Sequence, residues 1–401
     1  MTRPVTHSMP ASAPPRVAAL PPGPPRLREL DLLRFVAVVA IVLHHFAGVR
    51  STIWPGRDAQ KIYPELAPVA HFGYLGIELA FLISGFVILM AVWNRGVADF
   101  AVARVVRIYP AYWFSVLLSL SLFLICDSAV PYEEGDDPVG RFLPNLTMLQ
   151  DGLHVTPLEV VYRMLWVELH FYVLIALFAR AGITYARCVT FMVSWLLVGA
   201  YANETDSEFL NAMFLPTTAP YFIAGMAFFL IHRFGSNLVL WLIIAASWAL
   251  SVHYLVNDIS PLNEWKGVHE IVIPIVVTLL YAIMALVASR KLSWLSWRGF
   301  TFLGAVAYPL YLVHEMVARA IVKAFFPHPI IDRLVVLPVI TVSSLVTAVL
   351  VYRLVERPLQ RLMRPRLMAA VAQIRRNGAG PPVSGPPPRD PVPAAPPAGV
   401  P

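Results

Sequence analysis

Apolar residues in this chain come in long blocks rather than in short alternations. They form ten runs, at roughly 32–50, 71–93, 110–127, 160–179, 188–202, 213–232, 238–256, 269–289, 301–323 and 334–353. Most are long enough to cross a hydrocarbon core about 30 Å thick as a helix. In lipid the backbone must satisfy its own hydrogen bonds within each segment. The pattern therefore predicts an all-α, polytopic integral membrane protein of about ten transmembrane helices. Residues 1–26 are rich in Pro and Ala, and residues 363–401 turn basic and then Pro-rich. Both are expected as disordered tails around a membrane domain at 27–362.

Composition points the same way. The 401 residues are 58% hydrophobic and only 14% charged, with a mean hydropathy of +0.66. Soluble domains do not have that balance. The net charge of +7 is no nucleic-acid signal, because the basic residues flank apolar runs instead of forming one patch. Arg28, Arg95, Arg104, Arg107, Arg180, Arg187, Arg233, Arg290, Lys291, Arg298, Arg357, Arg361 and Arg364 fall in one set of loops and ends. Glu133, Glu134, Asp136, Asp137, Glu204, Asp206 and Glu208 fall in the alternate set. Lys/Arg excess marks the cytoplasmic side, so both termini are expected there; Arg50, Arg57 and Lys61 in the first exterior loop are the exception. No apolar core with a cleavage site precedes residue 27, and the first span is expected to act as an uncleaved anchor. The two cysteines, Cys126 and Cys188, would lie on opposite membrane faces, which excludes a disulfide. No metal-type Cys/His cluster appears, and Asn145-Leu-Thr147 matches a short glycosylation acceptor triplet.

Candidate chemistry begins in the first run, where Arg34 and His45 bracket RFVAVVAIVLHH. Eleven residues of helix rise about 16 Å and turn through three turns plus about 20°, so both side chains share one face. The cation sits at the membrane surface and the imidazole near mid-membrane, where ionisable groups default to a functional reading. His44 points about 100° away. The second run, Gly73 to Phe86, holds the buried carboxylate Glu78, with Ser84 nearby. Arg104 and Arg107, in a loop before the third run, are three apart and suit a polyphosphate; Pro110 would open that run's helix. Glu168 lies in the fourth run, and Tyr311 and His314 are adjacent on the ninth. Glu356 is expected to pair with Arg353 or Arg357 at the interface. In depth, His45, Glu78, Glu168 and His314 fall from the midplane outward, while Arg34, Arg104 and Arg107 fall at the cytoplasmic surface. That picture is a pocket crossing the membrane, phosphate-binding at its inner mouth and acid–base at mid-depth.

Together these motifs resemble the membrane-bound acyltransferase-3 family. They are Arg34-x10-His45, the Gly73–Phe86 stretch, Arg104-x-x-Arg107 before IYPAYW, Glu168-x-x-Phe-Tyr172, LGAVAYPLYLVH ending at His314, and the late VERP. Members O-acylate O-antigen, exopolysaccharides, Nod factors and macrolides. The resemblance implies transfer of an acyl group, usually acetyl, from acyl-CoA to a hydroxyl of a sugar or glycolipid, in a bacterial inner membrane and without a metal. It makes His45 the general base, with Glu168 or Glu78 orienting it or stabilising its imidazolium. It assigns Arg34, Arg104 and Arg107 to the coenzyme A phosphates, and leaves His44, Ser84, Tyr311 and His314 to contact the substrate. Two positions depart from the family pattern: Glu78 stands where Asp is usual, and Trp166 is only two residues before Glu168. Some members carry a soluble esterase-like domain after the spans. Here a short tail is expected instead, so transfer would finish in the membrane domain or on a separate partner. Acylation of a small metabolite such as a macrolide is the same-class alternative. A proton-coupled transporter or flippase, with the His/Glu set as a relay, is the alternative of another class.

Overall fold

A computed structural model of the protein describes residues 27–49, 51, 53–54, 57–93, 96–126, 138–205, 207–258, 266–326 and 333–378. Residues 1–26 and 379–401, and with them most of both expected tails, lie outside the described residues, as do Arg50, Arg95, Glu133, Glu134, Asp136, Asp137 and Asp206.

Among the described residues the structure is helical, with no strand. The long helices are α1 (Arg28–Leu43), α2 (Gly76–Val92), α3 (Val97–Cys126), α4 (Tyr162–Arg180), α5 (Tyr185–Asn203), α6 (Ala219–Phe234), α7 (Leu238–Asn257), α8 (Lys266–Ala288), α9 (Gly299–Phe325) and α10 (Arg333–Leu350). After a π-turn at Val351–Glu356 the chain continues as α11 (Arg357–Gly378). Among the described residues ten helices are long and apolar enough to cross a membrane, as the hydropathy pattern requires.

Burial separates an inner group from the rest. In α6 every residue from Ala219 to Ile231 is buried, because the helix is apolar all round and is surrounded by protein. Helix α2 packs most closely on α6, and α1 on α9 and α2. Lipid tails are as apolar as leucine, so close packing rather than water exclusion holds these crossings together. Glycine makes the approach possible. A Cβ at Gly85 would overlap the carbonyl oxygen of Phe222, and one at Gly225 would overlap that of Leu82. Gly76 of α2 meets the Ala37 carbonyl of α1 in the same way.

The helix ends differ from the sequence pattern in two places. Helix α3 begins at Val97, thirteen residues before Pro110, which therefore lies inside the helix and not in its first turn. The stretch Val97–Val106 is Ala- and Val-rich with few breakers, so the helix extends through Arg104 and Arg107. At the other end, the basic stretch after residue 363 is helical to Gly378 rather than irregular. Its Leu, Met, Ala, Gln and Arg residues are good helix formers despite the low hydrophobicity.

Residues 138–161, ahead of α4, are tied to α3. Tyr109 donates to Thr147 O at 3.0 Å, Trp113 to Leu146 O at 3.0 Å, and Tyr112 to Asn145 O. Asn145 is fully buried and bonds Arg141 O and the Leu158 amide, so the glycosylation triplet is a structural joint. Glu159 at the end of this segment accepts from Arg319 at 2.6 Å and from Ser119 at 2.7 Å, ties that fasten it to α9 and α3.

Candidate active site

A cavity of about 700 Å³ opens at one end of the bundle, between the start of α1, the end of α2, α3 and α11. Six arginines line it, Arg34, Arg104, Arg107, Arg357, Arg361 and Arg364, against one acid, Asp31. Asp31 lies 3.5 Å from Arg34, which leaves most of the positive charge uncompensated. The guanidinium of Arg104 is held over the rings of Phe100 and Tyr172, at 5.6 and 5.8 Å, and its Nε is buried with no partner among the described residues. Guanidiniums fixed in this way are ready to take phosphate oxygens, and Arg is the residue suited to do so bidentately.

Arg34, Arg104 and Arg107 also line a narrower passage of about 140 Å³ that leads inward between α1, α2, α3, α4 and α9. Its walls are mostly apolar, with Val38, Ile41, Ile77, Phe81, Ile108, Leu165 and Ala307. Four polar side chains interrupt them: Ser84, Glu168, Tyr172 and Tyr308, with Tyr311 at the inner end. Glu168 accepts from Tyr172 and, at 3.3 Å, from Ser84. Tyr308 and Tyr311 donate to Ile108 O and Val161 O, at 3.3 and 2.7 Å.

One helical turn beyond Ile41 and Tyr311 come His45 and His314. Their rings stack at 5.2 Å, and His45 Nδ1 lies 2.9 Å from His314 Nε2. The surrounding bonds assign the protons. His314 Nδ1 faces two carbonyls, Tyr311 O at 2.8 Å and Leu310 O at 3.2 Å, which only accept. Its proton is therefore on Nδ1, and its Nε2 is an acceptor. In the neutral pair His45 Nδ1 donates to it, and the lone pair of His45 lies on Nε2. His45 sits on a π-turn, His44–Gly48, a helix irregularity that recurs at functional sites.

Comparison with known families decides the class. A family model described as an acyltransferase domain, of the acyltransferase 3 type, matches residues 27–353. The chain belongs to that family. Comparison with curated proteins and with solved structures gives no match. The protein is thus a multi-pass membrane acyltransferase.

In this acyltransferase the structure gathers Arg34, Arg104 and Arg107 as the sequence pattern suggests, although Arg107 stands ten residues into α3 rather than in a surface loop. Ser84 and Tyr311 line the passage, while His314 lies beyond it on His45. The carboxylates are arranged differently from the expectation. Among the described residues the ring partner of His45 is His314, and neither Glu168 nor Glu78 bonds to it. Glu168 is taken by Tyr172 and Ser84, on the arginine side of the passage. Glu78 is buried and does not line the passage; Ile77, Ala80, Phe81 and Ser84 of α2 do. Spacing on one helix could not show which neighbour each face meets. His44 turns away as well, with Nδ1 3.2 Å from Ala70 O. Glu356 accepts from Gln360 at 2.8 Å instead of pairing with Arg353 or Arg357, whose guanidiniums lie over Phe302 and Tyr352. Arg357, Arg361 and Arg364, expected only as positive-inside charge or, for Arg357, as a partner of Glu356, join the arginines of the cavity. Their spacing of four and three was the available signal, since it puts them on one helix face.

Proposed function

We propose that the protein transfers an acetyl or other short acyl group from acyl-CoA to a hydroxyl of a sugar, glycolipid or extracellular polysaccharide precursor, in a bacterial inner membrane. The observation that carries this reading is the continuity of the arginine-lined cavity with the apolar passage through Arg34, Arg104 and Arg107, and the arrival of that passage one turn short of the His45–His314 pair. A coenzyme A thioester has that shape, with phosphates at one end, a slender apolar-compatible arm, and the reactive carbonyl at the tip. From Arg34 to His45 the helix rises about 16 Å, a distance an extended pantetheine arm spans.

The chemistry balances without an added reagent. His45 Nε2 removes the acceptor's hydroxyl proton as its oxygen bonds the thioester carbonyl carbon. The carbon–sulfur bond breaks, and the proton passes from His45 to the departing thiolate, which leaves as coenzyme A thiol. His314 holds the His45 tautomer and accepts its Nδ1–H, the part a carboxylate takes in other histidine-centred sites. The arginines hold the diphosphate and fix the donor's register.

The test uses membranes carrying the full chain, given labelled acetyl-CoA with no ion gradient. Label appearing in a glycan or glycolipid fraction, and lost in His45→Ala while the protein stays folded, supports the reading. Full transfer by His45→Ala sinks the assignment of the base. A requirement for a gradient, with none for coenzyme A, sinks acyl transfer to this acceptor in favour of transport.

A further inference from the structure

A second cavity, of about 420 Å³, adjoins the donor cavity at the same end of the bundle and shares Leu27 and Met90 with it. Its volume lies in the range of about 300–1,000 Å³ usual for small-molecule sites. Phe229 and Phe234 form apolar walls, and Arg233 and Arg290 supply charge, with no acid in the lining. Arg233 is fixed over Trp93 and Phe234, at 5.3 and 5.5 Å.

Arg290 is unusual in its backbone. Helix α8 ends in a paired cap, with Lys291 N bonded to Leu286 O at 2.9 Å and Arg290 N to Val287 O at 3.0 Å. The residue at that position takes a left-handed conformation, here φ 61°, which glycine adopts freely and arginine does not. An arginine therefore stands where the backbone favours glycine. Its side chain reaches across to α6, where Nη2 donates to His232 O at 3.2 Å, at the wall of the cavity. A strained backbone at a cavity wall points to a use for the side chain it carries.

We propose that this second cavity takes the 3′-phosphorylated nucleoside end of a coenzyme A thioester, with Arg233 and Arg290 on the 3′-phosphate. The inference rests on the acyl-CoA reading above. Coenzyme A carries its diphosphate between the pantetheine arm and a ribose that bears a separate phosphate. If the arm enters the passage, the diphosphate falls at Arg34, Arg104 and Arg107, which line both the passage and the donor cavity. The nucleoside must then continue outward, and the adjoining cavity offers apolar walls for a base and a second, separate cationic patch for the remaining phosphate. Two phosphoryl groups of one ligand thus meet two arginine groups divided by Leu27 and Met90.

The experiment measures equilibrium binding of coenzyme A and of 3′-dephospho-coenzyme A to the full-length protein in lipid nanodiscs, so no acceptor is needed. The wild type should bind coenzyme A at least about tenfold more tightly, the weight of a charge-assisted phosphate contact. Arg290→Gly removes the guanidinium and relieves the left-handed backbone, so its melting temperature should not fall. It should lose most of the preference while keeping its affinity for the dephospho form within about twofold. Arg233→Gln should act in the same direction, and serves if Arg290→Gly does not fold. Equal wild-type affinity for the two ligands overturns the proposal, and leaves the acyl-CoA reading standing. So does a preference that survives both substitutions but is lost in Arg361→Gln or Arg364→Gln, or a change confined to co-purified anionic lipid. If coenzyme A does not bind at all, the donor reading falls, and this one with it.

Discussion

At the scale of single residues, the tautomer of the His45–His314 pair decides what His45 can do. Because His314 Nδ1 is committed to main-chain carbonyls, the bond from His45 Nδ1 leaves Nε2 as the basic atom. Replacing His314 by Phe removes the acceptor and frees the His45 ring to turn. Its kcat for acyl transfer should fall by about 10²-fold or more with the KM for acetyl-CoA unchanged. A rise in KM alone would return His314 to the substrate-contact role that its sequence position suggested. The guanidiniums should behave in the opposite way. Arg104→Ala combined with Arg107→Ala should raise the KM for acetyl-CoA by about tenfold or more with a smaller effect on kcat, and an unchanged KM would remove them from the donor site. Arg34, His45 and the Arg104/Arg107 pair were legible as candidates because charged or titratable groups stand out against apolar runs. The partner of His45 was not readable: it lies 269 residues away in sequence and is an imidazole, where precedent favours a carboxylate.

Elements carry the next set of consequences. The α2–α6 crossing depends on Gly85 and Gly225, each set against the other helix's carbonyl oxygens. Gly85→Val should force the helices apart at a cost of about 1–3 kcal/mol or more, and thermal unfolding in detergent should show the loss. An unchanged midpoint would mean that the crossing has slack. The joint between the α3–α4 segment and α9 rests on a buried ion pair, Arg319 and Glu159, 6% and 1% exposed. Such pairs add little over apolar packing, but removing one member costs the other its nearest counter-charge. Glu159→Ala should therefore lower the midpoint of thermal unfolding in detergent, and Glu159→Gln, which keeps an acceptor for Arg319 and Ser119, should recover part of that loss. Helix number and type were legible from block length alone. The π-turn at His44–Gly48 and the extension of α3 back to Val97 were not, since both follow from how these segments meet their neighbours and not from their own hydropathy.

At the scale of the whole molecule, the arginine-lined cavity, the second cavity and the loop after α8 share one end of the bundle. The proposed function requires that end to face the cytoplasm, the orientation expected from the distribution of Lys and Arg. Ser293→Cys, on the exposed loop at the arginine end, should resist a membrane-impermeant thiol reagent in intact cells and react after permeabilisation. Asn257→Cys, at the far end of α7, should react in intact cells. The reverse pattern would invert the topology and separate the arginines from their proposed donor.

The sequence by itself determined that the chain lives in a bilayer, that it crosses about ten times, and which polar groups it carries into the apolar interior. Those properties follow from solvation, and solvation is a local property of each residue and its run. Which of the buried groups meet was decided only by tertiary structure. Helix faces are matched by packing between segments far apart in the chain, and that matching leaves Glu78 off the passage, brings Ser84 and Glu168 together, and delivers His314 to His45.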